Sequence, residues 1–140
     1  MDVQIREMVL SDYEAVLALW RSTPGFIVRP VTDSRDGIGR LLGRNPGLSV
    51  VVVDDDRLVG CALASQDGRR GFLQHVVVAP TSRGQGLGKT MVNFCLERLR
   101  EQHLGWVHLD VAIENEVAMT FWQKAGWQHR DELIRLSFPL

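Results

Sequence analysis

The sequence has no window near the roughly 20 consecutive apolar residues of a membrane-spanning helix, so no membrane partner is expected. Its start, MDVQIREMVLSDYEA, carries acids and lacks an apolar core, so a secretory signal is not expected there either. Cysteine is scarce: Cys61 and Cys95 lie far apart with no CxxC pattern, and the four histidines share no metal-ligand spacing. The expectation is two reduced, buried thiols in a cytoplasmic protein with no metal site. Charge of one sign is missing too, since 16 Lys and Arg against 17 Asp and Glu leave a net −1. Such a chain has no broad basic field for nucleic acid. Tyrosine occurs once, at Tyr13.

What is present is ordinary in bulk: 140 residues, 45% apolar and 24% charged, which suits one globular domain over residues 1–140. The order of elements is more informative. Residues 2–7 alternate as a short strand, and Ser11 with Glu14 forms a capping-box pattern ahead of the stripe Val16, Leu19, Trp20. A loop with two prolines over residues 24–33 precedes a helix around 36–44, weakened by Gly37, Gly39 and Gly43. Leu48–Val53, Leu58–Ser65 and Phe72–Val78 predict an antiparallel meander, the last strand ending at Ala79-Pro80. Leu87, Met91, Cys95 and Leu99 then place a long amphipathic helix over about 86–102. Trp106–Val111 predicts a strand, and a short helix follows between Asn115 and Gly126. Trp127–Phe138 offers one or two final strands.

The chemistry concentrates in VVVAPTSRGQGLGKTM, residues 76–91. A strand ends and Arg83-Gly84-Gln85-Gly86-Leu87-Gly88 opens the long helix. Glycines let the backbone approach a ligand, and the first amides of a helix have no internal acceptor, so the segment is an anion site. Arg83 and Lys89 add positive charge at the same end. The spacing is not that of a P-loop. Nor is it the dinucleotide fingerprint, whose third glycine falls at position 89, here lysine.

The segment resembles the acetyl-CoA motif of the GNAT superfamily of N-acetyltransferases, Arg/Gln-x-x-Gly-x-Gly/Ala after a strand ending in Val-x-Pro. Here Val78-Ala79-Pro80 is followed by Arg83, Gly86 and Gly88. A second element of that family, an Asn, a helix and a Gly-aromatic pair, is matched by Asn115, Ala118, Phe121-Trp122, Lys124 and Gly126-Trp127. The resemblance implies a mixed α/β fold with a mostly antiparallel, twisted sheet. Six to seven strands, splayed at the CoA site, would be flanked by about four helices. It implies acetyl-CoA as co-substrate, an amine acceptor that is a small molecule or a peptide N-terminus, and a monomer or homodimer. Val76 and Val78 would meet the pantetheine arm as an added strand meets a sheet edge. The amides from Gly84 through Gln85, Gly86 and Gly88 to Lys89 would hold the pyrophosphate. Asn115 fits a place beside the pantetheine and equally a helix N-cap.

Acetyl transfer needs a neutral amine. A lysine-like amine of pKa ~10.4 is under about 0.1% neutral at pH ~7, whereas an α-amine near 7.8 is roughly one-seventh neutral. A positioned base therefore matters more for the first. Asp110 matches an acidic position in the branch of the family that acetylates ribosomal-protein N-termini, and it also suits a strand-edge ion pair with an arginine. His75, on the strand before the glycine loop, is the second candidate, because imidazole titrates near neutrality. The chain departs from the family at Trp122, where many members carry a tyrosine acting as acid near the CoA sulfur; an indole N–H donates a hydrogen bond but is no practical acid. A CoA-binding domain without catalysis is thus the alternative. Trp20, Phe26 and Arg29, in and after the first helix, are candidates for holding the acceptor, and Trp20 also reads as core.

Overall fold

The alternating apolar runs of the first two thirds of the chain become one five-stranded sheet. The computed structural model describes residues 2–140, in two compact units, residues 2–109 and Asp110–Leu140. In the first unit β1 (Val3–Glu7), β2 (Val50–Asp54), β3 (Arg57–Gln66), β4 (Gly71–Val78) and β5 (Val107–His108) lie side by side in sequence order. The first three pairings are antiparallel and β4–β5 is parallel. A parallel pair requires a crossover, which α3 (Leu87–Glu101) supplies. α1 (Tyr13–Arg21) and α2 (Arg35–Arg44) lie in the connection from β1 to β2.

Helices on both faces explain why Val59–Ala64 of β3 is buried without alternation. Gly60 faces α3: a Cβ there would stand 3.3 Å from Cε of Met91. Cys61 and Leu63 face the other way, into a cluster with Val16, Leu19 and Trp20 of α1, Ile38 of α2 and Val77 of β4. The α2 helix forms despite its glycines because Ser34 caps it, its Oγ accepting from the Gly37 amide at 3.1 Å. Gly37 itself is required. A Cβ there would fall 2.6 Å from the carbonyl oxygens of Val31 and Thr32, so the loop of residues 22–34 folds onto α2 only over a hydrogen.

The start of α1 differs from the Ser11–Glu14 capping box. A 3-10 turn, Leu10–Asp12, precedes the helix, and the Asp12 carboxylate holds the head of that turn, its Oδ2 accepting from the Val9 amide at 2.9 Å. The same carboxylate takes both Arg6 guanidinium nitrogens, at 2.8 and 2.9 Å, and so ties β1 to the helix entry.

The second unit holds α4 (Glu116–Lys124), making four α-helices, as expected. The sheet has five strands where six to seven were expected, and the strand expected over Trp106–Val111 is only Val107–His108. Trp127–Phe138 forms no strand; Leu133, Ile134, Leu136 and Phe138 are exposed. The physical reason is that alternation makes a strand only where a neighbour takes its amides and carbonyls. Over residues 128–138 the backbone closes a turn, Leu133 N to Arg130 O at 3.3 Å, and forms no strand ladder among the described residues. Among the described residues no helix is long and apolar enough to cross a membrane.

The Arg6 guanidinium holds the Asp12 carboxyl below the ordinary carboxylate range, against the opposing effect of burial. A depressed folded-state value gives stability that is present above the unfolded pKa of about 3.9 and is lost as pH falls through the lower folded value. Asp12→Asn is therefore expected to cost about 1–2 kcal/mol near neutral pH and progressively less below about pH 4. Urea denaturation of both proteins across that range checks it; a pH-independent difference would contradict it.

Candidate active site

Strand β4, GFLQHVVV, changes direction in its middle. Leu63 pairs with Gln74 but Cys61 pairs with Val77, so β4 carries one extra residue there, a β-bulge. His75 adopts φ 52, the left-handed region that histidine enters more readily than most side chains. The extra residue reverses the alternation. Gly71 and Leu73 share the α3 face, since a Cβ on Gly71 would meet Leu99, whereas His75 and Val77 face α1.

On that face His75 enters a small aromatic enclosure. Its ring meets Trp20 edge-on at 5.0 Å and Phe26 edge-on at 4.8 Å, while Trp20 and Phe26 stack at 5.5 Å. Its Nε2 lies 2.7 Å from Oδ1 of Asp33, with side-chain exposures of 27% for the histidine and 4% for the aspartate. The other carboxylate oxygen accepts from the Arg29 amide at 2.9 Å, and the Asp33 carbonyl accepts from the buried Tyr13 hydroxyl at 2.7 Å. Nδ1 of His75 has no hydrogen-bond partner among the described residues. A histidine with one nitrogen on a buried carboxylate and the other free can accept a proton.

The opposite edge of β4 is open. β5 pairs with Gly71 and Phe72, and among the described residues the rest of β4 has no ladder partner on that side. The Ala79 amide donates to Val59 of β3 at 2.8 Å, so by alternation the amides of Val78 and Val76 point to the open edge. Arg83 folds back there, its Nε donating to the Val78 carbonyl at 3.3 Å. The glycine loop follows. Gly84 and Gly86 take φ of +80 and +76, and a Cβ on either would enter open space. Gly86 is the N-cap of α3 and has no side chain to offer, so the first-turn amides of Leu87, Gly88 and Lys89 lack a helical acceptor. Lys89 and Gln85 are exposed beside them.

Other residues singled out from the sequence fall differently. Trp20 is fully buried, with its indole N–H unpartnered among the described residues, and packs as a wall of the enclosure. Phe26 is half-buried and Arg29 exposed. In the second unit Asp110 pairs with Arg135 at 2.6 Å, both side chains 67% exposed. Asn115 is the N-cap of α4, its Oδ1 accepting from the Ala118 amide at 3.0 Å. Trp122 is buried between Phe121 and Trp127, with ring centres at 5.0 and 5.2 Å. Neither cysteine is a nucleophile: burial raises both thiols, Cys95 to about 12, and Cys95 spends its hydrogen on the Leu48 carbonyl. Asp33 was the residue sequence reasoning missed. It stands 42 positions from His75, in a proline-bearing loop without periodicity, and only its place just before the Ser34 cap hinted at an ordered role.

The profile of the acetyltransferase (GNAT) family matches residues 11–127. The chain belongs to this family. Among curated proteins, this GNAT chain is similar to N-alpha-acetyltransferase 30 of Schizosaccharomyces pombe, 26% identical over 95 residues, covering 64% of this chain and 63% of that protein. It is similar to the Saccharomyces cerevisiae protein of the same name, 23% identical over 104 residues, covering 67% and 59%. The chain thus spans less than two thirds of the length of these relatives. The crystal structure of PaiA N-acetyltransferase from Thermoplasma acidophilum in complex with coenzyme A superposes with a TM-score of 0.82 over 94% of this chain and 92% of that one. At 17% identity, that likeness establishes a shared GNAT fold.

An exposed ion pair contributes little. Asp110→Ala is accordingly expected to change stability by under about 0.5 kcal/mol. A thermal melt checks it, and a loss several times larger would mean that Asp110 is doing more than pairing with Arg135.

Proposed function

We propose that this chain is an N-acetyltransferase that uses acetyl-CoA and transfers its acetyl group directly to a primary amine, of a small molecule or of a peptide N-terminus. The observation that carries the reading is the continuity of the open β4 edge with the glycine-rich start of α3. An extended arm finds amides at Val76 and Val78, and a pyrophosphate finds amides and positive charge from Gly84 to Lys89. Side-chain-free space at Gly84 and Gly86 fits such a ligand. Acetyl-CoA supplies an acyl group activated as a thioester. Because the family match runs from residue 11 to 127, we read the two units as one catalytic domain.

For the base we favour His75. Its Nδ1 is available to take the proton that the amine loses as its nitrogen bonds to the acyl carbon, and the carbon–sulfur bond breaks with the electron pair leaving on sulfur. Asp110 already has a cation partner on an exposed surface. The loss of tyrosine at position 122 is tolerable because a thiol of pKa about 8.5 leaves as thiolate without a strong acid. A peptide α-amine is the easier acceptor on the same arithmetic, and the similarity to N-alpha-acetyltransferases supports that class. Phe26 and Arg29 remain the residues proposed to line the acceptor.

Thiol release from acetyl-CoA across a panel of amines and short peptides tests the activity. Turnover is expected with at least one α-amine; stabilisation by CoA with no release on any acceptor would leave a silent CoA-binding domain instead. Gly86→Glu is expected to weaken CoA binding at least about tenfold, since it sets a like charge and a side chain against the phosphates. Unchanged affinity would overturn the placement of the pyrophosphate. His75→Gln is expected to lower kcat by about 10²-fold or more at nearly constant KM for acetyl-CoA, and Asp110→Asn by under about threefold. The reverse ranking would make Asp110 the base.

A further inference from the structure

We infer that Asp33 is a positioning residue that sets the tautomer of His75, holding the hydrogen on Nε2 so that Nδ1 is the nitrogen left to accept the amine's proton. The inference rests on His75 being the base, and it adds the residue through which the acceptor loop controls that base. The geometry leaves the carboxylate one arrangement. Its Oδ2 faces a fixed donor, the Arg29 amide at 2.9 Å, and its Oδ1 faces Nε2 at 2.7 Å. A carboxylate accepting at both oxygens requires hydrogen on the histidine nitrogen that it meets. In a neutral imidazole the other nitrogen is then the acceptor.

Asp33 is itself held from three sides. The Tyr13 hydroxyl donates to its carbonyl, its amide donates to the Arg29 carbonyl at 3.2 Å, and the neighbouring Val31 and Thr32 carbonyls rest on Gly37. The histidine is held by the Trp20 and Phe26 rings and by the bulge. Neither partner can swing away to form another pair without breaking buried contacts. Residues 22–34, which include Phe26 and Arg29, therefore end in the group that orients the base, and the loop's arrangement and the proton-accepting nitrogen are coupled.

Asp33→Asn makes a specific prediction from this geometry. The Arg29 amide admits only the oxygen of the new carboxamide, so its NH₂ must face Nε2. A donor there demands an unprotonated Nε2, and the hydrogen moves to Nδ1, where it blocks the base. The test combines long-range ¹H–¹⁵N imidazole spectra of the full chain, at a pH where His75 is neutral, with kinetics on acetyl-CoA and the fastest amine of the panel. The expected results are an Nε2–H tautomer for His75 in the parent protein and Nδ1–H in Asp33→Asn. The kcat of that variant should fall about 10- to 100-fold with KM for acetyl-CoA within about twofold. Adding Asp33→Asn to His75→Gln should cost under about twofold more, because both changes remove one function. An Nδ1–H tautomer in the parent, an unmoved tautomer in Asp33→Asn, or an equal kcat loss in both backgrounds would each overturn the assignment. If Asp33→Asn does not fold, the parent spectrum decides alone. If His75→Gln keeps full kcat, the base reading falls and the catalytic consequence of Asp33 with it, whereas a wrong tautomer beside a slow His75→Gln variant sinks the positioning role only.

Discussion

One extra residue in β4 decides what the two faces and the free edge of this sheet can do. Without the bulge, strict alternation would send His75 to the α3 face with Gly71 and Leu73. With it, the histidine turns toward α1 and the loop of residues 22–34, and Val77 reaches the apolar cluster there. A left-handed backbone at a non-glycine residue costs about 1–2 kcal/mol, and the contacts around His75 must offset it. Those contacts are the Asp33 carboxylate and two aromatic rings. Strain, a buried carboxylate and a partly exposed imidazole thus occur at a single position, and re-aiming a side chain in this way is what β-bulges do.

The same strand divides two tasks between its sides. Its α1-facing surface presents the His75 imidazole, and its open edge leads into the amide-rich start of α3. Neither task needs net charge. The helix start supplies partial positive charge from unpaired amides, and Arg83 and Lys89 add two cations locally, so a chain of net charge −1 remains compatible with a polyphosphate ligand. The buried, protonated thiols leave no cysteine to carry an acyl group, which agrees with direct transfer.

Much of this was legible in the sequence because it is local. The period-four stripe from Leu87 to Leu99 became α3 nearly to the residue, and the spacing of Arg83, Gly86 and Gly88 pointed to the helix start that the structure has. Non-local features were not legible. The entry to α1 is organised by Asp12 and not by Ser11, because the aspartate meets Arg6 of β1 and the Val9 amide at the head of a 3-10 turn. Trp20 belongs to the core, as its helical stripe allowed. The apolar alternation near the C-terminus found no ladder partner, which periodicity cannot foresee. Asp33 was invisible because a pairing across 42 residues leaves no pattern, and the bulge that makes it possible is a property of register rather than of composition.

The central claim is that acetyl-CoA lies along the free edge of β4 and across the start of α3. Residue-resolved amide hydrogen exchange, with and without acetyl-CoA, tests it most directly. The account predicts that the amides of Val76, Val78, Gly86, Leu87, Gly88 and Lys89 exchange freely in the free protein and become protected together when acetyl-CoA is added. Protection that appears elsewhere while these six amides stay unchanged would contradict it.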